Sequence, residues 1–95
     1  MNVFAVIATS PEAVEPLRLA VEAQFLGNFI KAGSTLWFVA DGTISTPVEI
    51  CQKLGVKGST PTGTLVNAVV IWIVTYWGSA SPEVWSWIAS KLAQK

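Results

Sequence analysis

The chain has no histidine, one cysteine and few charges: six acidic and six basic residues make up 13% of its 95 positions. Each shortage removes a class of function. Without histidine the commonest general base and metal ligand is missing. Serine–histidine and cysteine–histidine catalysis are therefore excluded within one subunit. A lone Cys51 cannot close an internal disulfide, which fits a reducing, cytoplasmic compartment better than a stapled secreted domain. Glu12, Glu15 and Glu22 lie near Arg18, and Lys31, Lys53, Lys57, Lys91 and Lys95 are scattered. A duplex-binding protein draws most of its affinity from a basic stripe, so this dispersal argues against nucleic acid as the partner. The longest apolar stretch, Leu65 to Trp77, holds thirteen residues, whereas a bilayer-spanning helix needs about 20. Met1 to Ala8 also lacks the basic start and long apolar centre of a signal peptide.

What the chain does have is apolar mass. Hydrophobic residues are 52% of the total, with five tryptophans. That is enough for one core in a single domain over residues 1–95, with apolar surface to spare for a partner.

The order of elements follows from periodicity. Val3 to Ala8 and Leu36 to Ala40 are uninterrupted apolar runs, the pattern of strands covered on both faces. Ser10-Pro11 reads as a helix start, and Val14, Leu17, Val21 and Phe25 recur at helical spacing opposite Glu15, Arg18 and Glu22. Pro16 leaves two alternatives: a kinked first turn, or a separate opening turn followed by the main helix. Asn28 to Lys31 is a short strand candidate. Thr46-Pro47-Val48-Glu49 is a capping box. It opens a helix whose Pro47, Ile50, Cys51 and Leu54 share one face and which Gly55 ends. Leu65 to Trp77, rich in Val, Ile and Trp, is expected to be one long strand. Ser81-Pro82-Glu83 starts a last helix with Val84, Trp85, Ile88, Ala89 and Leu92 on its apolar face.

The resulting order, β-α-β-β-α-β-α, predicts an α+β fold: a ferredoxin-like βαββαβ sandwich with an extra C-terminal helix. The two doubly apolar runs fall on that fold's central strands and the shortest, most polar candidate on an edge, so local pattern and global position agree.

The stretch Tyr76-Trp77-Gly78-Ser79-Ala80-Ser81-Pro82-Glu83-Val84-Trp85-Ser86-Trp87-Ile88, after Asp41-Gly42-Thr43 and Leu54-Gly55-Val56, resembles a group of small phage and bacterial proteins. These end in a similar Tyr-x-Gly-x-Ala…Trp-x-Trp-Ile tail. The arrangement of elements also resembles, at the level of fold, the small ferredoxin-like subunits of CRISPR adaptation complexes. Those carry an aspartate at the end of the first strand, where this chain has Ala8-Thr9-Ser10. The resemblance thus implies the fold and a phage setting, with interference with a host defence system as the role analogy suggests, and it carries no nuclease activity or metal with it.

Candidate chemistry is thin. No ligand spacing calls for a metal, and no cofactor or catalytic residue is expected. Asp41 follows a central strand, where functional carboxylates often sit, but Asp-Gly is also an ordinary turn pair. The Gly58 to Thr64 loop, with Ser59, Thr60, Thr62 and Thr64 beside Lys57, offers hydroxyls and backbone N–H groups for a phosphate. With Trp72 or Tyr76 as a stacking platform it sketches a small nucleotide pocket, and with Asp41 a phosphodiesterase. Cys51, on an apolar helix face, reads as a packed thiol. The stronger expectation is a self-associating protein, a homodimer or larger, that binds a host protein or small ligand. Its contacts are Trp72, Ile73, Tyr76, Trp77 and Trp87, since the last strand is a sheet edge and tryptophan is enriched at interface centres. On that strand Val66, Ala68, Val70, Trp72, Val74 and Tyr76 are expected on one face and Val69, Ile71, Ile73 and Trp77 on the other.

Overall fold

The computed structural model describes residues 1–74 and 78–94. The elements are β1 (Asn2–Ala8), α1 (Val14–Gln24), β2 (Phe29–Lys31), β3 (Leu36–Asp41), α2 (Pro47–Leu54), β4 (Ala68–Trp72) and α3 (Pro82–Ala93). The strands form one sheet in the order β2-β3-β1-β4, every neighbouring pair antiparallel. This is the ferredoxin-like arrangement expected from the sequence, with the two doubly apolar runs in the centre.

β1 explains why such a run is needed. Phe4, Val6 and Ala8 point to the face carrying α1 and α2, where they join Leu17, Val21, Phe25, Trp37, Val39, Ile50 and Leu54 in the main core. Val3 and Ala5 point the other way and are equally buried, because α3 lies against β1 on that face. Ala40 of β3, paired with Val3, is buried there too, as are Val84 and Ile88 of α3. Small residues at positions 5 and 40 let the helix come close. Fully burying a Val- or Leu-sized side chain is worth roughly 1.5–3 kcal/mol, so β1 stabilises two layers at once.

The helix starts follow from capping. Pro11–Ala13 forms a separate 3-10 turn and the main helix begins at Val14, which settles the alternatives left by Pro16. That proline occupies the third helical position, where its missing N–H has no intrahelical acceptor to lose. Ser10 does not cap; its hydroxyl instead accepts a 3.3 Å bond from the Asn67 side chain. Arg18 bridges Glu15 and Glu22 on the solvent side. At α2 the Thr46 hydroxyl oxygen accepts from the Glu49 N–H at 3.3 Å and donates to the Glu49 carboxylate at 2.8 Å. Gly55 ends the helix in the left-handed conformation (φ 83°), its N–H returning to the carbonyls of Cys51 and Gln52.

Two expectations are corrected. The run Leu65 to Trp77 is not one strand: β4 covers Ala68–Trp72 only. Asn67, sitting in the left-handed region at φ 58°, breaks the extended path before it. Asparagine tolerates that conformation better than other non-glycine residues. Leu65 turns aside to bridge Val56. Beyond Trp72 the Ile73 N–H still donates to Val3 at 2.9 Å, while Tyr76 and Trp77 lie outside the described residues. The apolar face of α3 is also narrower than expected. Val84 and Ile88 are buried, but Ala89 is exposed and Leu92 is 39% exposed.

Candidate functional site

The residues singled out for chemistry are scattered by the fold. Asp41 ends β3 opposite Asn2, at the end of the sheet where β1 begins. The Gly58 to Thr64 loop lies at the other end, beside the close of β1: Thr64 shares a small cleft with Ser10 and Asn67, and the Thr9 N–H donates to the Asn67 carbonyl at 2.7 Å. The length of the sheet separates the carboxylate from the loop, so the two do not form one phosphodiester-cleaving site. Trp72, four residues beyond Ala68 and so roughly 13 Å further along an extended strand, is likewise remote from Lys57, which pairs with the strand's approach at Leu65. Tyr76 falls outside the described residues.

Asp41 is occupied with structure. One carboxylate oxygen accepts from the Thr43 N–H (2.8 Å), the Thr43 hydroxyl (2.9 Å) and the Ile44 N–H (2.9 Å), and the other faces the Lys53 ammonium at 3.4 Å. Burial pushes its pKa up, but the bonds from Thr43 and Ile44, with Lys53, outweigh it and hold the carboxyl at about 2, below its ordinary 3.8. Such a group is a turn brace, ionised and saturated. Asn2 adds to the brace by donating its side-chain N–H to Ile44 at 2.8 Å.

The loop is folded onto the end of α2. The Ser59 N–H and hydroxyl both donate to Val56, the Gly63 N–H donates to Thr60, and the N–H groups of Thr64 and Leu65 donate to Gly55. Gly63 has to be glycine, since a Cβ there lies 2.4 Å from the Val56 carbonyl oxygen. These amides are spent on the loop's own closure, which removes much of the expected phosphate cradle. Cys51 is half-buried and burial raises its thiol pKa, the condition of a packed thiol. Among the described residues no group of three potential metal ligands comes together, and no helix is long and apolar enough to cross a membrane.

The grooves are modest. A shallow depression of about 520 Å³ is lined by Ala8, Thr9, Ser10, Pro11, Val14 and the Ser34–Thr35 turn. A cleft of about 110 Å³ adjoins it at Ser10. Sequence reading did not anticipate either, because their hydroxyls come from three separate turns.

The outstanding surface is the β4 flank. Val69 and Ile71 point to the α3 face and are 44% and 48% exposed; α3 reaches β1 but leaves them bare. Trp72, on the α1–α2 face opposite Phe4, is 44% exposed. Ile73 is half-buried, and Trp87 is half-buried with the Lys91 ammonium 5.8 Å from its ring centre. The Lys91 ammonium also bonds Asn28 at 2.9 Å, tying α3 to the start of β2. Trp87 therefore lies toward the β2 side of the molecule, away from β4. The expected contact residues thus divide: Trp72 and Ile73 share the β4 flank, Trp87 does not, and Trp77 lies outside the described residues.

The pairing of β4 with β1 fixes which backbone groups remain open. The bonds Thr9 N–H to Asn67 and Ile73 N–H to Val3 mark odd-numbered residues as bonded inward, since hydrogen-bonded and non-bonded pairs alternate along an antiparallel ladder. The N–H and C=O groups of Ala68, Val70 and Trp72 consequently point outward. Sequence pattern locates the strand but not this parity, which depends on where Asn67 interrupts it. Comparison of the chain with family models, with curated proteins and with solved structures gives no match.

Proposed function

We propose that this chain is a binding module that acts as a self-associated unit, using the β4 flank as its contact surface. The observation that supports this most is the state of that edge. It is uncharged, it carries Val69, Ile71 and Trp72 at 44–48% exposure, and it turns outward a row of backbone groups that no strand among the described residues pairs with. An edge left in this state is a template for another strand. Asp41 and the Gly58 to Thr64 loop sit at opposite ends of the sheet, with the Asp41 carboxylate and the Ser59, Gly63 and Thr64 amides already engaged, so the reading as a nucleotide-directed enzyme draws no support from geometry. The phage-like tail makes a host protein a reasonable second partner for the assembled unit, and interference with host defence a reasonable outcome.

Sedimentation velocity across micromolar concentrations tests the reading. Self-association gives a concentration-dependent shift to a dimer or larger species, and Ile71→Lys returns it to monomer with an unchanged far-ultraviolet circular dichroism spectrum. A sharp monomer for the unmodified chain at every concentration overturns the proposal.

A further inference from the structure

Resting on that reading, the geometry points to one specific partner and register: a second copy of this chain whose β4 pairs antiparallel with the first across a two-fold axis at Val70, joining the two sheets into one of eight strands. The outward residues are Ala68, Val70 and Trp72, set by the inward bonds at Asn67 and Ile73. A two-fold pairing centred on Val70 puts Val70 opposite Val70 of the second copy and Ala68 opposite its Trp72. All three outward residues then form hydrogen-bonded pairs, giving about six new backbone bonds. Sliding the register by two residues in either direction loses one such pair.

Side chains favour the same register. On the α1–α2 face it sets the large Trp72 against the small Ala68 of the other copy, whereas a slide that lengthens the overlap beyond Trp72 sets Trp72 against Val70 and then against itself. On the α3 face it places Val69 directly opposite Ile71, twice, as a continuous four-residue apolar stripe. These are non-hydrogen-bonded pairs, the class in which side chains approach most closely. The strand carries no charge, so nothing in it repels its own copy. Asn67 at φ 58° stops the strand on one side and so limits how far the register can slide. The α2 surface beside β4 supplies area that the strand alone lacks.

Disulfide trapping reads the register directly. In a Cys51→Ser background, Val69→Cys and Ile71→Cys chains are mixed and oxidised. The expected product is a covalent dimer containing one chain of each kind, because opposite residues lie about 4.5–5.5 Å apart at Cβ and diagonal ones about 7–8 Å. Either variant oxidised alone stays mostly monomeric on a non-reducing gel, at least tenfold less crosslinked than the mixture. Crosslinking of either variant with itself as efficiently as in the mixture overturns the register. In the unmodified protein, a sample mixing carbon-13-labelled and unlabelled chains gives intermolecular nuclear Overhauser effects between Val69 and Ile71 methyl groups. Their absence from a dimer seen by sedimentation also overturns the register while leaving self-association intact. A monomer by sedimentation overturns the self-association on which the register depends.

Discussion

The sheet has two edges, and they are built differently. β2 is three residues long, Phe29–Lys31. Bonds from the Ala40 N–H to Asn28 and from the Ala32 N–H to Leu36 leave only Phe29 and Lys31 facing outward. One of those is a lysine, its ammonium held 5.8 Å over the Trp37 ring, and the Ala32-Gly33-Ser34 turn follows at once. β4 has five residues, three outward-facing positions, no charge and no proline. Short length and an edge lysine are the ordinary means of keeping a sheet from growing. Under the proposed self-association, this difference would close growth at β2 and leave it to β4, the condition for a closed pair in place of an open ribbon.

The largest effect expected from testing this contrast lies within β4 itself. Ile71→Pro deletes a ladder bond to Ala5 and is expected to cost about 3 kcal/mol or more, a large share of a small domain's stability, read as a thermal midpoint lowered by roughly 12–24 °C or more. Val70→Pro removes only an outward N–H. It is expected to keep the fold by circular dichroism and lose self-association by sedimentation. Equal damage from both substitutions would show that the inward–outward parity is wrong.

Next in size is the reverse manoeuvre at the other edge. Lys31→Val gives β2 an uncharged edge and is expected to convert discrete dimers into polydisperse, growing assemblies detectable by light scattering, since two open edges per subunit no longer close on themselves. A dimer unchanged by Lys31→Val shows that brevity alone protects β2.

Away from both edges, Asp41 sets a control in pH. Its folded-state pKa of about 2 lies below the ordinary 3.8, so its stabilisation is fully present above pH 4 and is lost as pH falls from 4 towards 2. The loss is on the order of 2 kcal/mol, visible as a falling thermal midpoint that Asp41→Asn flattens. β4 contains no titratable side chain, so dimer affinity at pH 5 to 8 is expected to be the same in both proteins. The smallest effect is expected at α2: Thr46→Ala removes the N-cap for about 1 kcal/mol, measurable by urea titration, with no change in association.

How much of this could be read from the sequence depends on whether a feature is local. Thr46, Pro47, Glu49 and Gly55 specify α2 within ten residues, and they were legible because capping needs no distant partner. β1 and β3 were legible because only a strand covered twice is apolar throughout. β4 was misjudged in extent, as apolar composition cannot show that Asn67 turns left-handed, which depends on the bonds Thr9 and Ser10 make with it. Asp41 and the Gly58 to Thr64 loop looked compatible as a site since sequence gives residue types and not the sheet end at which each arrives. The Val69–Ile71 surface was half legible: its apolar content was plain, but its exposure depends on how far across the sheet α3 reaches.

The placement of β1 also has a consequence for synthesis. This strand is complete at Ala8, yet the strand that flanks it on one side begins only at Ala68 and the helix that covers its second face at Pro82. At about 5–20 residues per second, the sixty residues between Ala8 and Ala68 take roughly 3–12 s to make. During that interval a nascent chain can pair β1 with β3 and pack α1 and α2 on one side, while Val3, Ala5 and Ala40 remain wet on the other. Of the four strands, the earliest made is thus the last to be covered, and a nascent chain stalled before α3 would expose a broader apolar surface than the finished fold does.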